Sequence, residues 1–144
     1  MRAKALSLHG RIREMTRRHY FHVWFSTKGR KMVLEGEIED EVRRLLRESA
    51  NRSDIQLLEL ELMFDHVHLL LGLPGPWALP LTMQRLKGRT AYELFRVIPL
   101  LKLDMHSHSL WQKGYGWREV LPANLASVRR YIRTQKERPH RHAF

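Results

Sequence analysis

Hydrophobic positions along the chain alternate between a two-residue and a helical period. From His19 to Ser26, Phe21, Val23 and Phe25 alternate with Tyr20, His22 and Trp24, which predicts a strand with one face in a core. After the basic turn Lys28-Gly29-Arg30-Lys31, Ile38, Val42, Leu45 and Leu46 recur at helical spacing among charges, the pattern of an amphipathic helix. Period two returns over about Ile55 to Met63, where Leu58, Leu60 and Leu62 alternate with Glu59 and Glu61. A short link through Phe64-Asp65 into a strand starting at His66 predicts a hairpin, and Pro74-Gly75-Pro76 ends that strand. The next helix should begin near Pro80 and stop before Pro99. Met83, Leu86, Ala91, Leu94, Val97 and Ile98 gather on one side of it, and Arg85, Arg89, Tyr92 and Arg96 on the other. Residues 100–109 read as connection. Leu110-Trp111-Gln112 and Trp117 to Leu121 read as short strands around Gly114-Tyr115-Gly116. Beyond Pro122, Asn124 is a suitable N-cap for a last helix running to about Glu137.

The order strand, helix, strand, strand, helix, strand is that of the ferredoxin-like split βαβ, an α+β fold whose antiparallel sheet carries both helices on one side. The other face of the sheet is expected to be open. At 144 residues the chain is one domain's worth, with residues 1–17 as a basic N-terminal arm and 138–144 as a basic tail.

Charge narrows the partners. Lys and Arg outnumber Asp and Glu by 26 to 15, a net charge of +11, and such a field attracts polyanions. No apolar run approaches the roughly 18 residues of a spanning helix, so nucleic acid is favoured over a membrane. With no cysteine, any metal must bind imidazole, carboxylate or amide oxygen. The opening Met-Arg-Ala-Lys lacks the apolar core of a signal peptide, so a cytoplasmic location is expected.

Two sets of residues could carry chemistry. In Asp65-His66-Val67-His68-Leu69-Leu70-Leu71, strand parity projects His66 and His68 together, opposite the core-facing Val67, Leu69 and Leu71. The pair suits one metal ion equally as well as a role of two satisfied histidines. In the last helix Tyr131 and Gln135 stand four residues apart and share a face beside Leu125, Val128 and Ile132. Gln135 could add an amide oxygen to the imidazoles, and Tyr131 an oxygen nucleophile. The stripe of Arg85, Arg89 and Arg96, with Lys87 and with Lys28 and Arg30 of the basic turn, is the expected DNA-binding surface.

These residues resemble the single-tyrosine transposases of the HUH endonuclease superfamily, which move small insertion sequences as single-stranded DNA. The likeness rests on Asp65-His66-Val67-His68-Leu69-Leu70 and on Val128-Arg129-Arg130-Tyr131-Ile132-Arg133-Thr134-Gln135 far downstream. Trp24 to Arg30, Arg85-Leu86-Lys87-Gly88 and Leu110 to Gly116 agree with it, and together they span nearly all of residues 19–142. The resemblance implies that His66, His68 and Gln135 ligate Mg²⁺ or Mn²⁺, and that Tyr131 forms a 5′-phosphotyrosine. It also implies single-stranded DNA with hairpins as partner, and a homodimer in which the tyrosine helix can complete the other subunit's metal site. Phe64 stands where such proteins usually have proline, and they continue past a similar tail into a further helix, whereas this chain stops at Phe144. Two alternatives remain at this level. One is a domesticated single-tyrosine nuclease acting on palindromic repeats. The other is a non-catalytic single-strand-binding module in which Tyr20, His22 and Trp24 stack bases.

Overall fold

Strands β1 (His19–Ser26), β2 (Gln56–Leu62), β3 (His66–Leu73) and β4 (Gly116–Val120) form one antiparallel sheet in the order β2-β3-β1-β4. Helices α1 (Gly36–Asn51) and α2 (Leu79–Val97) make the two crossovers, α3 (Leu101–Met105) follows α2, and α4 (Leu125–Arg133) is the last α-helix among the described residues. The computed structural model describes residues 18–137, so the basic arm and the basic tail lie outside the described residues. No helix among the described residues is long and apolar enough to cross a membrane.

The ferredoxin-like order is the expected one, and its cause is visible in the packing. Phe21, Val23 and Phe25 of β1 and Val67, Leu69, Leu71 and Leu73 of β3 bury against Val42, Leu45 and Leu46 of α1 and Met83, Leu86 and Leu94 of α2. Period-two and helical apolar stripes thus meet in one core. The opposite face of the sheet is not open as parity alone suggested, because α4 packs across it. Leu70 of β3 and Val120 of β4 have no route into the main core. They are buried instead with Val128 and Ile132 of α4, flanked by Tyr20, Leu58, Leu125 and Tyr131. Consequently every residue of β3 is buried.

A β-bulge in β2 prepares this second face. Leu57 pairs with Leu71 and Glu59 with Leu70, leaving Leu58 as the extra residue. The simple alternation of Leu58, Leu60 and Leu62 therefore breaks. Leu57 packs against the helical core with Leu60 and Leu62, while Leu58 joins the α4 cluster. Glu59 comes to the same side, where its Oε2 accepts from Arg129 Nε at 3.0 Å and Arg133 Nη2 at 2.7 Å. Burial alone would raise the Glu59 carboxyl, but hydrogen bonds from Arg133 and Arg129 outweigh it and hold the group below its ordinary value. Beyond the helix, Lys136 reaches Glu39 of α1 at 2.5 Å.

Several expected boundaries shift. Residues 101–105 are helical rather than connecting, with Leu101 and Met105 buried. Of the two strands expected around Gly114, Trp117 to Leu121 corresponds to β4, whereas Leu110-Trp111-Gln112 makes one isolated bridge, Thr27 to Trp111. The last helix ends at Arg133, and Gln135–Glu137 is a separate 3₁₀ turn. Asn124 provides no side-chain cap; it closes the turn Pro122–Asn124, and its carbonyl accepts from Ser127 Oγ at 3.0 Å.

Ile132→Ala should remove about 2–5 kcal/mol from the docking of α4 by opening a cavity in the smaller core. Hydrogen exchange should then accelerate in α4 while β1 and β3 stay protected. Uniform acceleration would mean that the two cores unfold as one.

Candidate active site

His66 and His68 project from β3 onto the α4 side of the sheet, with ring centroids 5.1 Å apart. Both are buried, at 3% and 0% exposure. Each ring is fixed through Nδ1. Asp65 Oδ1 accepts from His66 Nδ1 at 2.7 Å, and Arg30 Nε donates to Asp65 Oδ2 at 3.0 Å. Burial would raise the Asp65 carboxyl, but hydrogen bonds from His66 and Arg30 prevail and keep it below the usual range, hence ionised. Thr27 pins the turn, its backbone N–H donating to the Asp65 carbonyl at 2.9 Å.

His68 Nδ1 lies 2.9 Å from Nε2 of His22, a buried residue of β1 whose Nδ1 accepts from Arg118 Nε of β4 at 3.1 Å. A guanidinium only donates, so the neutral His22 ring carries its proton on Nε2 and gives it to His68. The register explains the contact: His22 stands opposite Leu70 and Arg118, and His68 is its diagonal neighbour across the β1/β3 ladder. Trp24, opposite His68, packs 4.9 Å from the His22 ring. Its other neighbour is Gly116, where a Cβ would collide with the indole, so glycine lets the indole cross β4.

From above, α4 lowers Tyr131 onto this row. Its ring centroid is 5.8 Å from that of His22 and 6.2 Å from that of His68. A cleft of about 320 Å³ opens beside the phenol, walled by Arg118, Glu119, Asn124 and Ser127. Gln135 occupies the turn after α4, with its amide nitrogen donating to the Tyr131 carbonyl at 3.0 Å. Among the described residues no three His, Cys, Asp or Glu side chains are grouped to hold a metal. The two imidazoles and the phenol thus form one row on one face of the sheet, His66 beside His68 and His68 beside Tyr131, with Asp65 orienting the first ring.

The sequence profile of the IS200-like transposases matches residues 15–135. The chain belongs to that family, the single-tyrosine HUH transposases. It is 32% identical to the ISDra2 transposase TnpA of Deinococcus radiodurans over 118 residues, 82% of this chain and 84% of the relative. Identity to the transposase of insertion sequence element IS200 from Salmonella typhimurium is 29%, covering 81% of this chain and 76% of that one. A crystal structure of a candidate transposase from D. radiodurans R1 superposes with a TM-score of 0.67 at 33% identity, covering 82% of this chain and 91% of that one. A REP-associated tyrosine transposase bound to a REP hairpin shares the fold at 11% identity and a TM-score of 0.61, covering 83% and 67% of the two chains.

In this transposase the structure brings together His66, His68 and Tyr131 of the residues singled out from sequence, and adds His22 and Arg118. His22 had a legible signal, since strand parity placed it on the histidine face; its bond to His68 depends on strand register, which the sequence leaves unspecified. The basic residues disperse. Arg85, Arg89 and Arg96 stand on α2, across the sheet from the histidines, with Arg89 paired to Glu48 at 3.3 Å and Arg96 to Glu93 at 2.8 Å. Lys87 donates to the carbonyls of Gln112 and Gly114 at 2.9 and 2.5 Å, over the Phe25 ring. Lys28 is exposed beside β1, and Arg30 is the residue that holds Asp65. The Leu110-Trp111-Gln112 motif is architectural here: the Trp111 indole donates to Thr90 Oγ1 at 2.9 Å and packs edge-on to Phe25.

Burial, reinforced by Arg118, lowers the His22 pKa to about 4; burial, then the neighbouring His22, His66 and Arg118 charges, lowers that of His68 to about 3. Both rings are neutral at pH 7. Because the folded values lie below the unfolded value of about 6.5, the unfolded chain takes up protons first as pH falls. Stability from these rings is therefore full above that value and declines towards the folded ones. The urea midpoint should drop between about pH 7 and about pH 5, above the carboxylate range, and His22→Gln should flatten the slope. A wild-type midpoint that stays constant over this window would contradict the burial of neutral imidazoles.

Proposed function

We propose that this transposase cuts and rejoins single-stranded DNA at hairpin-marked element ends through a covalent Tyr131 intermediate. The observation that carries the reading is the position of the Tyr131 ring over the His22–His68 pair within one chain. Tyr131 Oη attacks the scissile phosphorus and loses its proton, and the bond to the 3′ oxygen breaks. One strand ends in a free 3′-hydroxyl and the other in a 5′-phosphotyrosine. One phosphodiester replaces another, so a second 3′-hydroxyl can reverse the step and join a new strand without ATP.

The donor chemistry suits a hard divalent cation, Mg²⁺ or Mn²⁺, held by His66, His68 and Gln135. Two imidazoles and an amide oxygen leave its charge undiminished, and the hydrogen bond from His66 Nδ1 to Asp65 is of the kind that orients a ligating histidine. When bound, the cation draws charge from a non-bridging phosphate oxygen. His66, donating from Nδ1 to Asp65, already has the tautomer that presents Nε2. For His68 to do so, its Nδ1 must donate to His22 Nε2, and Arg118 must turn from His22 Nδ1. His22 thereby sets the tautomer of His68.

The net charge of +11 supports a DNA partner, and the REP-associated relative, solved on a hairpin, suggests the form of that DNA. Arg85, Lys87, Arg89, Arg96, Lys28 and Arg30 are the backbone-binding candidates, a homodimer is the proposed assembly, and the cytoplasm is the proposed site of action. The insertion-element relatives, at 32% and 29% identity, support a mobile element over a domesticated nuclease.

Tyr131→Phe keeps the ring and its packing, so this variant should fold and bind a tailed DNA hairpin yet form no denaturant-resistant adduct. Wild-type protein with Mg²⁺ or Mn²⁺ should form that adduct, with the nucleotide on the peptide containing Tyr131. An adduct on Tyr20, Tyr92 or Tyr115 would overturn the nucleophile assignment. His68→Ala should lose about 10-fold to 100-fold or more in Mn²⁺ affinity, measured by paramagnetic titration, while still binding the hairpin. Unchanged Mn²⁺ affinity would remove His68 from the ligand set.

A further inference from the structure

Strand β4 brings to the cleft beside the phenol a cation that no carboxylate pairs with among the described residues. Arg118 is exposed, and of its nitrogens only Nε is engaged there, donating to His22 Nδ1 at 3.1 Å. Glu119, the acid on the same wall, is turned by strand alternation towards His19, whose Nδ1 it meets at 3.1 Å. By contrast Arg129 and Arg133 of α4 both pair with Glu59. The neutral His22 ring offers Arg118 a lone pair and no counter-charge, so the guanidinium keeps its full charge and has Nη1 and Nη2 left to donate.

Position decides what that charge meets. The sheet order sets β3, β1 and β4 side by side, and His68, His22 and Arg118 make a row across them. Tyr131 lies over the His68 and His22 rings, and the cleft of about 320 Å³ beside it has Arg118, Asn124 and Ser127 on its wall. The phenol is thus bracketed, with the candidate metal ligands at one end of the row and a permanent cation at the other. Whatever enters the cleft to meet the phenolic oxygen also meets Arg118. A planar fork of N–H donors selects an oxyanion, and a phosphate presents two oxygens at the matching spacing.

We propose that Arg118 is a catalytic residue whose guanidinium holds the non-bridging oxygens of the phosphate that Tyr131 attacks. The inference rests on the proposed function, which supplies that phosphate. As the Oη–P bond forms and the P–O3′ bond breaks, the phenol releases its proton, the 3′ oxygen takes one up, and Arg118 stays protonated throughout. It contributes fixed charge beside the oxygens where negative charge gathers. The tautomer of His68 bears on this contact. When His68 Nδ1 donates to His22 Nε2, His22 Nδ1 becomes a donor and its bond from Arg118 is lost, so the change that readies His68 also frees Arg118 Nε for the phosphate.

The test uses the full chain and a set of tailed DNA hairpins in which one tail phosphate at a time is replaced by a neutral methylphosphonate. With Tyr131→Phe protein, binding should weaken by about 10-fold or more at one tail position, the one at which the wild type cuts. Adding Arg118→Gln should erase the sensitivity at that position and leave it unchanged elsewhere. In the Tyr131 background, Arg118→Gln should slow adduct formation on unmodified DNA by about 100-fold to 1,000-fold, with Arg118→Lys recovering part of the loss. Should Arg118→Gln fail to fold, the Arg118 Nε–H resonance of the Tyr131→Phe protein decides: it should shift with unmodified DNA and stay in place with methylphosphonate at the cut position. Sensitivity that survives Arg118→Gln would overturn the proposal, and slowing of the adduct without loss of sensitivity would reduce Arg118 to positioning His22. A sensitive position other than the cut would also overturn it. Arg118-dependent sensitivity without any adduct from the wild type would count against cleavage by Tyr131 and leave the Arg118 contact standing.

Discussion

Strand β3 is buried from His66 to Leu73, and it has two faces to cover. A central antiparallel strand whose odd residues feed one core and whose even residues carry imidazoles and Leu70 cannot leave the second set in water. Helices α1 and α2 satisfy the odd face, and α4 satisfies the even one. The histidines are thereby drawn into a low-dielectric layer, where a buried imidazole needs hydrogen-bond partners. Asp65 meets that requirement for His66 and His22 for His68. The burial that completes the fold is also what holds the candidate ligands in fixed orientations.

Polar contacts carry the rest of the arrangement. Glu59 clamps Arg129 and Arg133, and Lys136 ties the turn after α4 to Glu39 on the opposite helical layer. The four buried members of the smaller core are few beside the larger one. Placement of Tyr131 therefore depends on a modest apolar contact steered by charge, whereas the His66 strand is supported by the main core. Rigidity is unequal across the site by construction, with histidines on the firm side and the phenol on the softer one.

Much of this was legible in residue order. Alternation in Phe21-Val23-Phe25 and Val67-Leu69-Leu71 identified the core faces, and the same parity put His66 and His68 opposite them. The helical spacing of Val128 and Ile132 located the packing side of α4. Other features needed tertiary information. Leu57 and Leu58 are chemically equivalent, so nothing local says which is the extra residue of the bulge. Covering of the outer face depends on where α4 docks, which its own periodicity does not specify. Lys87 reads as a surface cation until the Gln112 and Gly114 carbonyls are placed beneath it. His22 acquires its role only from a diagonal neighbour 46 positions away.

The bulge at Leu58 has an implication for how this chain tolerates insertion and deletion. It is a one-residue phase shift inside a strand: Leu57 keeps step with Leu71, and Glu59 keeps step with Leu70. Deleting one residue there would restore strict alternation and, with Leu60 and Leu62 still in phase, send Glu59's predecessor inward and strip the outer face of its leucine. The edge strand thus carries two reading phases, one addressed to the scaffold and one to the tyrosine helix. A length change of a single residue at this point would uncouple them, though His66, His68 and Tyr131 all remained in the sequence.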